Sequence, residues 1–237
     1  RRISYDVTGL PPTLEEVERF SKEHQSHPRE AIEGLVDRLL NSPRYGERWG
    51  RHWLDVARFA ESSGFEHDYD RPTAYHYRDF VIRAFNEDMP YDQFVKWQLA
   101  GDEYEPQNAL ALAATGFLGA GVFPSQITAN EVESSRYDAM DDMLGTTASA
   151  MLGLTLSCAR CHDHKFDPIP SRDYYAMFSI LNSSDEPDEP AMPIIGKAAN
   201  EKDGQDYDAK VAEIHKKELD FKRTVYDELR QQERIAD

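Results

Sequence analysis

Pro28-Arg29-Glu30-Ala31-Ile32-Glu33-Gly34-Leu35-Val36-Asp37-Arg38-Leu39-Leu40 decides the fold class. Its apolar residues Ile32, Leu35, Val36, Leu39 and Leu40 fall at i, i+3, i+4, i+7 and i+8, one face of a 3.6-residue period, and its other face is charged. Upstream, Thr13-Leu14-Glu15-Glu16 follows Pro11 and Pro12 and forms a capping-box pattern, so another helix is expected to start there. Downstream, residues 45–61 place Trp49, Trp53, Val56, Ala57 and Ala60 on one side, with Arg48, Arg51, Asp55 and Arg58 around the rest. After a polar loop at 64–73, helical patterns are expected at 74–86, with Tyr77, Val81, Ala84 and Phe85 inside, and then at 90–99 and 108–118. A long helix at about 131–156 and a shorter one at 171–181 complete the series. No alternating strand pattern of useful length and no internal repeat interrupts it, so the expected fold is all-α, a multi-helix domain over residues 1–182.

Residues 183–193 (SSDEPDEPAMP) open an acidic, Pro-containing linker that extends to about 205. Beyond it, Tyr207, Val211, Ile214, Phe221 and Val225 keep near-heptad spacing amid dense charge. Residues 206–237 are therefore expected to form an amphipathic helix, or half of a helical hairpin whose partner lies outside this stretch. The opening Arg1-Arg2-Ile3-Ser4-Tyr5-Asp6 has no initiator Met and no charged-then-apolar leader, so the sequence reads as a piece of a longer chain.

Composition narrows the function classes. The 237 residues can bury a substantial core, which makes a lone zinc knuckle or a disulfide miniprotein a poor description. With 44 acidic against 27 basic residues, a net charge of −17 disfavours a nucleic-acid phosphate backbone and favours basic or small-molecule partners. No apolar run is long enough for a membrane span.

Only two cysteines occur, in Cys158-Ala159-Arg160-Cys161-His162. This is C-x-x-C-H, the pattern in which two thiols one turn apart add to the vinyl groups of a haem while the next side chain reaches the iron. The competing reading is a zinc-stabilised structural module, because His164 extends the motif to C-x-x-C-H-x-H and Cys and His are good zinc ligands. Two histidines so close crowd a tetrahedron, and a zinc site ordinarily draws on a second, more distant ligand pair. A thioredoxin-like redox pair would need a surrounding βαβ pattern that is absent.

The candidate sixth ligands of such an iron are His52 first, then Met143, with Met140 and Met151 as further thioethers. Arg48 lies four residues before His52 on one helical face, and an Arg and a His over an open iron would be catalytic residues of peroxidase type. Arg160 is a candidate partner for a propionate, and His164 for a propionate or Asp167. Trp53 is a candidate packing residue on the porphyrin, as are Trp49, Tyr137, Tyr174 and Tyr175. Asp138, Asp141 and Asp142, at i, i+3 and i+4, need a cation: a calcium ion, or more simply a salt-bridge network with arginines such as Arg48, Arg58 and Arg78.

A set of motifs carries a resemblance. Tyr5-Asp6-Val7-Thr8-Gly9-Leu10-Pro11-Pro12, Tyr45-Gly46-Glu47-Arg48-Trp49, His52-Trp53-Leu54-Asp55, Tyr77-Arg78-Asp79, Ala84-Phe85-Asn86, Pro90-Tyr91-Asp92, Gln98-Leu99-Ala100-Gly101-Asp102 and the run from Cys158 to Pro170 are similar to the planctomycete-type cytochrome c domain. The resemblance spans Arg2 to about Leu181 and implies a haem-bearing module of a longer, exported, multi-module protein. It implies Cys158 and Cys161 as thioether attachments and His162 as the proximal iron ligand. The expectation is thus one covalent haem c, periplasmic or otherwise extracytoplasmic location, and electron transfer to a redox partner protein or a neighbouring haem domain of the same polypeptide. A haem-dependent oxidoreductase with an open distal side is the runner-up.

Overall fold

The computed structural model describes residues 1–65, 67–122, 124, 126–184 and 200–236. Among them the fold is helical throughout, apart from an isolated antiparallel bridge between Ser62 and Asp70. The chain divides into two compact units, Arg1–Ile195 and Gly196–Asp237.

The first unit opens with α1 (Arg2–Thr8), α2 (Leu14–Ser26) and α3 (Pro28–Leu40). Both halves of the capping box form at α2: the Glu16 N–H donates to Thr13 Oγ1 and the Thr13 N–H to the Glu16 carboxylate. In α3 the covered stripe is narrower than the spacing suggests. Ala31 and Leu39 are buried, while Ile32 and Leu40 remain exposed.

Helices α4 (Arg44–Val56) and α5 (Tyr75–Asn86) pack most intimately. Their approach is set by glycine: a Cβ on Gly46 would stand 2.3 Å from the Ile82 carbonyl oxygen, and one on Gly50 would touch Ile82 and Val81. The face of α4 that enters the core is therefore Gly46, Gly50, Trp53 and Ala57, whereas Trp49 and Val56, expected inside, are exposed. The helix also ends before the expected residue 61. The Phe59 N–H bonds to the Leu54 carbonyl and the Arg58 N–H to that of Asp55, a Schellman closure with Arg58 at φ +53° in the place glycine usually takes. Asp88, at φ +49°, closes α5 in the same way through Met89 to Ala84 and Asp88 to Phe85.

Next come α6 (Tyr91–Tyr104), kinked at Ala100, and α7 (Ala109–Ala114), continued by a 3-10 turn at Thr115–Ala120. With α4 and α5 they enclose the first core cluster, which includes Tyr77, Phe80, Val81, Phe94 and Phe117. At its centre Gln98 is fully buried and bonded through both its amide oxygen and its amide nitrogen. Its Oε1 receives the Trp53 indole N–H at 2.8 Å and the Tyr77 hydroxyl at 2.7 Å, and its Nε2 donates to the Phe94 carbonyl.

The expected long helix to residue 156 is broken into α8 (Val132–Thr147), a π-helical turn at Ala148–Leu152, and a 3-10 turn at Leu156–Arg160. Gly153, at φ +66°, makes the break. α9 (Ser171–Asn182) then packs on α8 and on that last turn. Together they form a second core cluster of Leu144, Ala148, Leu156, Ala159 and Tyr174, with Ile169, Met177, Phe178 and Leu181 against it. The π-helical turn joins the two clusters, since Ala148 belongs to the second while Ala150 and Met151 pack on the first.

The acidic linker over 185–199 lies outside the described residues. In the second unit α10 (Glu201–Ala236) begins earlier than the expected residue 206 and exposes Tyr207, Val211, Ile214 and Phe221. Among the described residues no helix is long and apolar enough to cross a membrane.

Candidate functional site

The pentapeptide Cys158–His162 begins inside the 3-10 turn, and the three-residue period of that turn sorts its side chains. Leu156 and Ala159 point into the second cluster, Ala159 with no exposed surface at all. Cys158 and Cys161, also three apart, are both exposed and both free thiols. His162 follows and is exposed as well. Its Nδ1 lies 2.8 Å from the Asp163 carbonyl oxygen, which can only accept. Nδ1 therefore carries a proton, and Nε2 has no partner among the described residues.

The turn is held from below by charge. Arg160 reaches Asp141 at 2.8 Å and Asp138 at 3.9 Å, while the Tyr174 hydroxyl donates to the other Asp141 oxygen. The Tyr175 hydroxyl donates to the Arg160 carbonyl at 2.9 Å. The Asp141 carboxylate raises the Arg160 pKa above its ordinary value. Burial, and then the bond to Asp141, pushes the Tyr174 phenol well up. Asp142 takes a separate cation, Arg58. Gly121 lies against this pair, and a Cβ there would stand 2.5 Å from the Asp142 carboxylate and displace it. The acidic cluster expected to need calcium or arginine is thus met by Arg160, Arg58 and a phenol. Among the described residues no group of three or more His, Cys, Asp or Glu side chains is placed to hold a metal ion.

His164 differs from His162 in every respect. Its side chain is only 6 % exposed. Its Nδ1 accepts from the Asp167 N–H at 2.8 Å and from the Phe166 N–H at 3.3 Å, and its Nε2 lies 2.9 Å from Thr155 Oγ1. The expected contact with Asp167 therefore exists, and neither ring nitrogen is left over.

The remaining sequence candidates stand in other places. Trp53 belongs to the first cluster, where it is bonded to Gln98 and Tyr77 and stacked edge-on against Phe94. His52 projects from α4, exposed, with its ring edge-on to Trp49 and no hydrogen bond to either nitrogen among the described residues. Arg48 is laid across Gly9, its Nε buried without a partner. Met143 is half-buried on α8, the helix that packs on the pentapeptide turn, and Met151 packs on the first cluster. Helix α4 packs on α5 and α1, and the pentapeptide turn on α9 and α8. The structure thus gathers Cys158, Cys161, His162, Arg160 and His164, and seats His52, Arg48 and Trp53 on a separate helix. Sequence reasoning missed the roles of Asp141 and Tyr174 under Arg160. The one signal for them was an acidic i, i+3, i+4 cluster directly ahead of the motif.

These residues suit a covalently held haem: two free, outward thiols on one side of a turn anchored on the other, and an imidazole with an unused Nε2. Phe166, 83 % exposed, follows the motif closely, and Tyr175 is bonded to its backbone. Both are exposed aromatic rings beside the motif.

The family described as PSCyt2, protein of unknown function (DUF1549), matches residues 1–186. No curated protein and no solved structure matches the chain.

Proposed function

The chain belongs to the PSCyt2 family, and we propose that it is a planctomycete-type c cytochrome module, holding one haem through Cys158 and Cys161 and transferring electrons within a larger exported protein. The observation that carries this reading is the division of labour in the pentapeptide turn. Leu156 and Ala159 anchor it in the core, while both thiols and the His162 ring are exposed, and neither the thiols nor Nε2 has a partner among the described residues. A haem held there would supply an iron able to pass between its ferric and ferrous states, and hence one-electron chemistry.

The chain's own contributions follow. Cys158 and Cys161 fix the macrocycle. His162, its tautomer set by the Asp163 carbonyl, offers Nε2 to the metal. Arg160 is already committed to Asp141, so it stiffens the turn from beneath and is only secondarily a propionate partner. His52, exposed and with no hydrogen bond to either ring nitrogen among the described residues, would be the first candidate for a further iron ligand, and Met143 on α8 the alternative. Because haem is attached to such thiols outside the cytoplasm, the module is assigned to the periplasm or an equivalent exported compartment. The chain's net charge of −17 would steer a basic redox partner at low ionic strength.

The test is an absorption spectrum of the purified chain, oxidised and reduced, with and without cyanide. A low-spin ferric spectrum that ignores modest cyanide supports a six-coordinate carrier, and His52→Ala should then shift it. A high-spin spectrum with rapid peroxide reaction would replace the carrier by an oxidoreductase with an open distal side. Absence of a Soret band would remove haem from the account.

A further inference from the structure

The motif contains two histidines, two residues apart, and only one of them has a nitrogen to give. We propose that His164 is the positioning residue of the site, the lock that holds the loop behind the pentapeptide so that His162 is presented with Nδ1 protonated and Nε2 open before any cofactor arrives. This rests on the reading of His162 as an iron ligand, but the lock itself is a property of the polypeptide.

The geometry runs through both sides of the pentapeptide. Ahead of it, the Thr155 carbonyl accepts the Cys158 N–H at 3.1 Å, and Thr155 Oγ1 meets His164 Nε2. Behind it, His164 Nδ1 receives the Asp167 and Phe166 amides, and the His164 N–H donates to the Ile169 carbonyl at 2.8 Å. The Asp167 carboxylate also lies 3.3 Å from Nδ1. The Asp167 amide is closer, at 2.8 Å, and being a donor it needs a lone pair, so Nδ1 is the unprotonated nitrogen and Nε2–H donates to Thr155. His164 thus ties the residue before the turn to the loop after it.

Asp163, between the two histidines, is fixed by the same closure. Its carboxylate accepts the Ser171 N–H at 2.8 Å at the start of α9, and its carbonyl takes the His162 Nδ1 proton. The orientation of the outward ring is therefore decided by residues that never touch what it would bind. Preorganisation of this kind spares the ligand its ordering cost at the moment of binding.

The experiment is long-range 1H–15N NMR of histidine rings in the full chain, labelled and produced without haem maturation. Wild type should show His162 in the less common Nδ1–H form and His164 in the Nε2–H form. His164→Ala should lose the His162 Nδ1–H signature, and His164→Asn, whose Oδ1 can still accept the Asp167 amide as in an Asx turn but which does not span to Thr155, should leave a mixture of tautomers. Thr155→Val, which cuts only the tie ahead of the motif, should convert His162 to a mixture of tautomers, and Thr155→Ser should restore it. These spectra need no loaded protein and guard against a variant that merely unfolds, since the aliphatic signals of Val81 and Leu144 report the two cores. His162 in the ordinary Nε2–H form in wild type, or unchanged in both His164→Ala and Thr155→Val, would overturn the lock. If the tautomers are as stated but no haem attaches under maturation, the lock stands and the cytochrome reading falls.

Discussion

Asp141 shows how one side chain can organise a site it does not enter. It joins α8 to the pentapeptide through Arg160 and to α9 through the Tyr174 hydroxyl. Replacing it with Asn keeps an acceptor for the buried phenol and removes the charge facing Arg160. Replacing it with Ala removes both, leaving a buried hydroxyl unsatisfied. Denaturant unfolding should therefore find Asp141→Ala about 1–2 kcal/mol less stable than Asp141→Asn. Equal stabilities would show that the phenol does not depend on it. The same phenol, with Tyr77 in the other cluster, makes a statement about pH. Burial raises both pKa values above the ordinary tyrosine figure of about 10. A raised folded-state value means that the stabilisation is complete below that pH and is lost progressively above it. Stability should thus decline from about pH 10 upward, and ultraviolet titration should find two phenols that ionise only as the chain unfolds.

Among the elements, periodicity located the helices and cap chemistry located some of their ends. Pro28 and the Thr13–Glu16 box mark true starts. The end that escaped, that of α4, has no glycine: Arg58 adopts a left-handed backbone that its side chain gives no hint of, whereas α5 stops at Asn86 as expected. The exit of α4 is explained by a distant partner, since Arg58 turns out of the helix to reach Asp142. The inward face of α4 escaped for a related reason. Hydrophobicity pointed to Trp49 and Val56, but close packing on α5 selected Gly46 and Gly50 instead. Gly46 also donates its N–H to Asn86 Oδ1 at 2.8 Å, and Asn86 Nδ2 donates to the Pro43 carbonyl. Gly46→Ala forces a methyl into the Ile82 carbonyl and should cost about 3 kcal/mol in thermal or chemical unfolding. A loss below about 0.5 kcal/mol would mean that α4 and α5 are not so tightly apposed.

For the whole molecule, two core clusters divide the motifs between them. Several of those that carry the family resemblance, including the ones with Trp53, Tyr77 and Gln98, build the first cluster and its polar node, while Asn86 ties α5 to the start of α4. Their spacing marks a scaffold as much as a site. Cys158, Cys161 and His162 are exposed on the turn that the second cluster anchors, and the sequence marked them out because C-x-x-C-H is a compact pattern of five residues. It also gave His164 to a propionate or Asp167; what it could not state was that both His164 ring nitrogens are spent on the fold. That depends on Thr155, Asp167 and Ser171 meeting in space. The central claim, one haem joined covalently to this polypeptide, is tested most directly by the denatured intact mass of the chain exported from a host competent in haem attachment. The account predicts the polypeptide plus one haem, reduced to the polypeptide alone when Cys158 and Cys161 are both replaced by Ala. A colourless wild-type chain with the mass of unmodified polypeptide would contradict it.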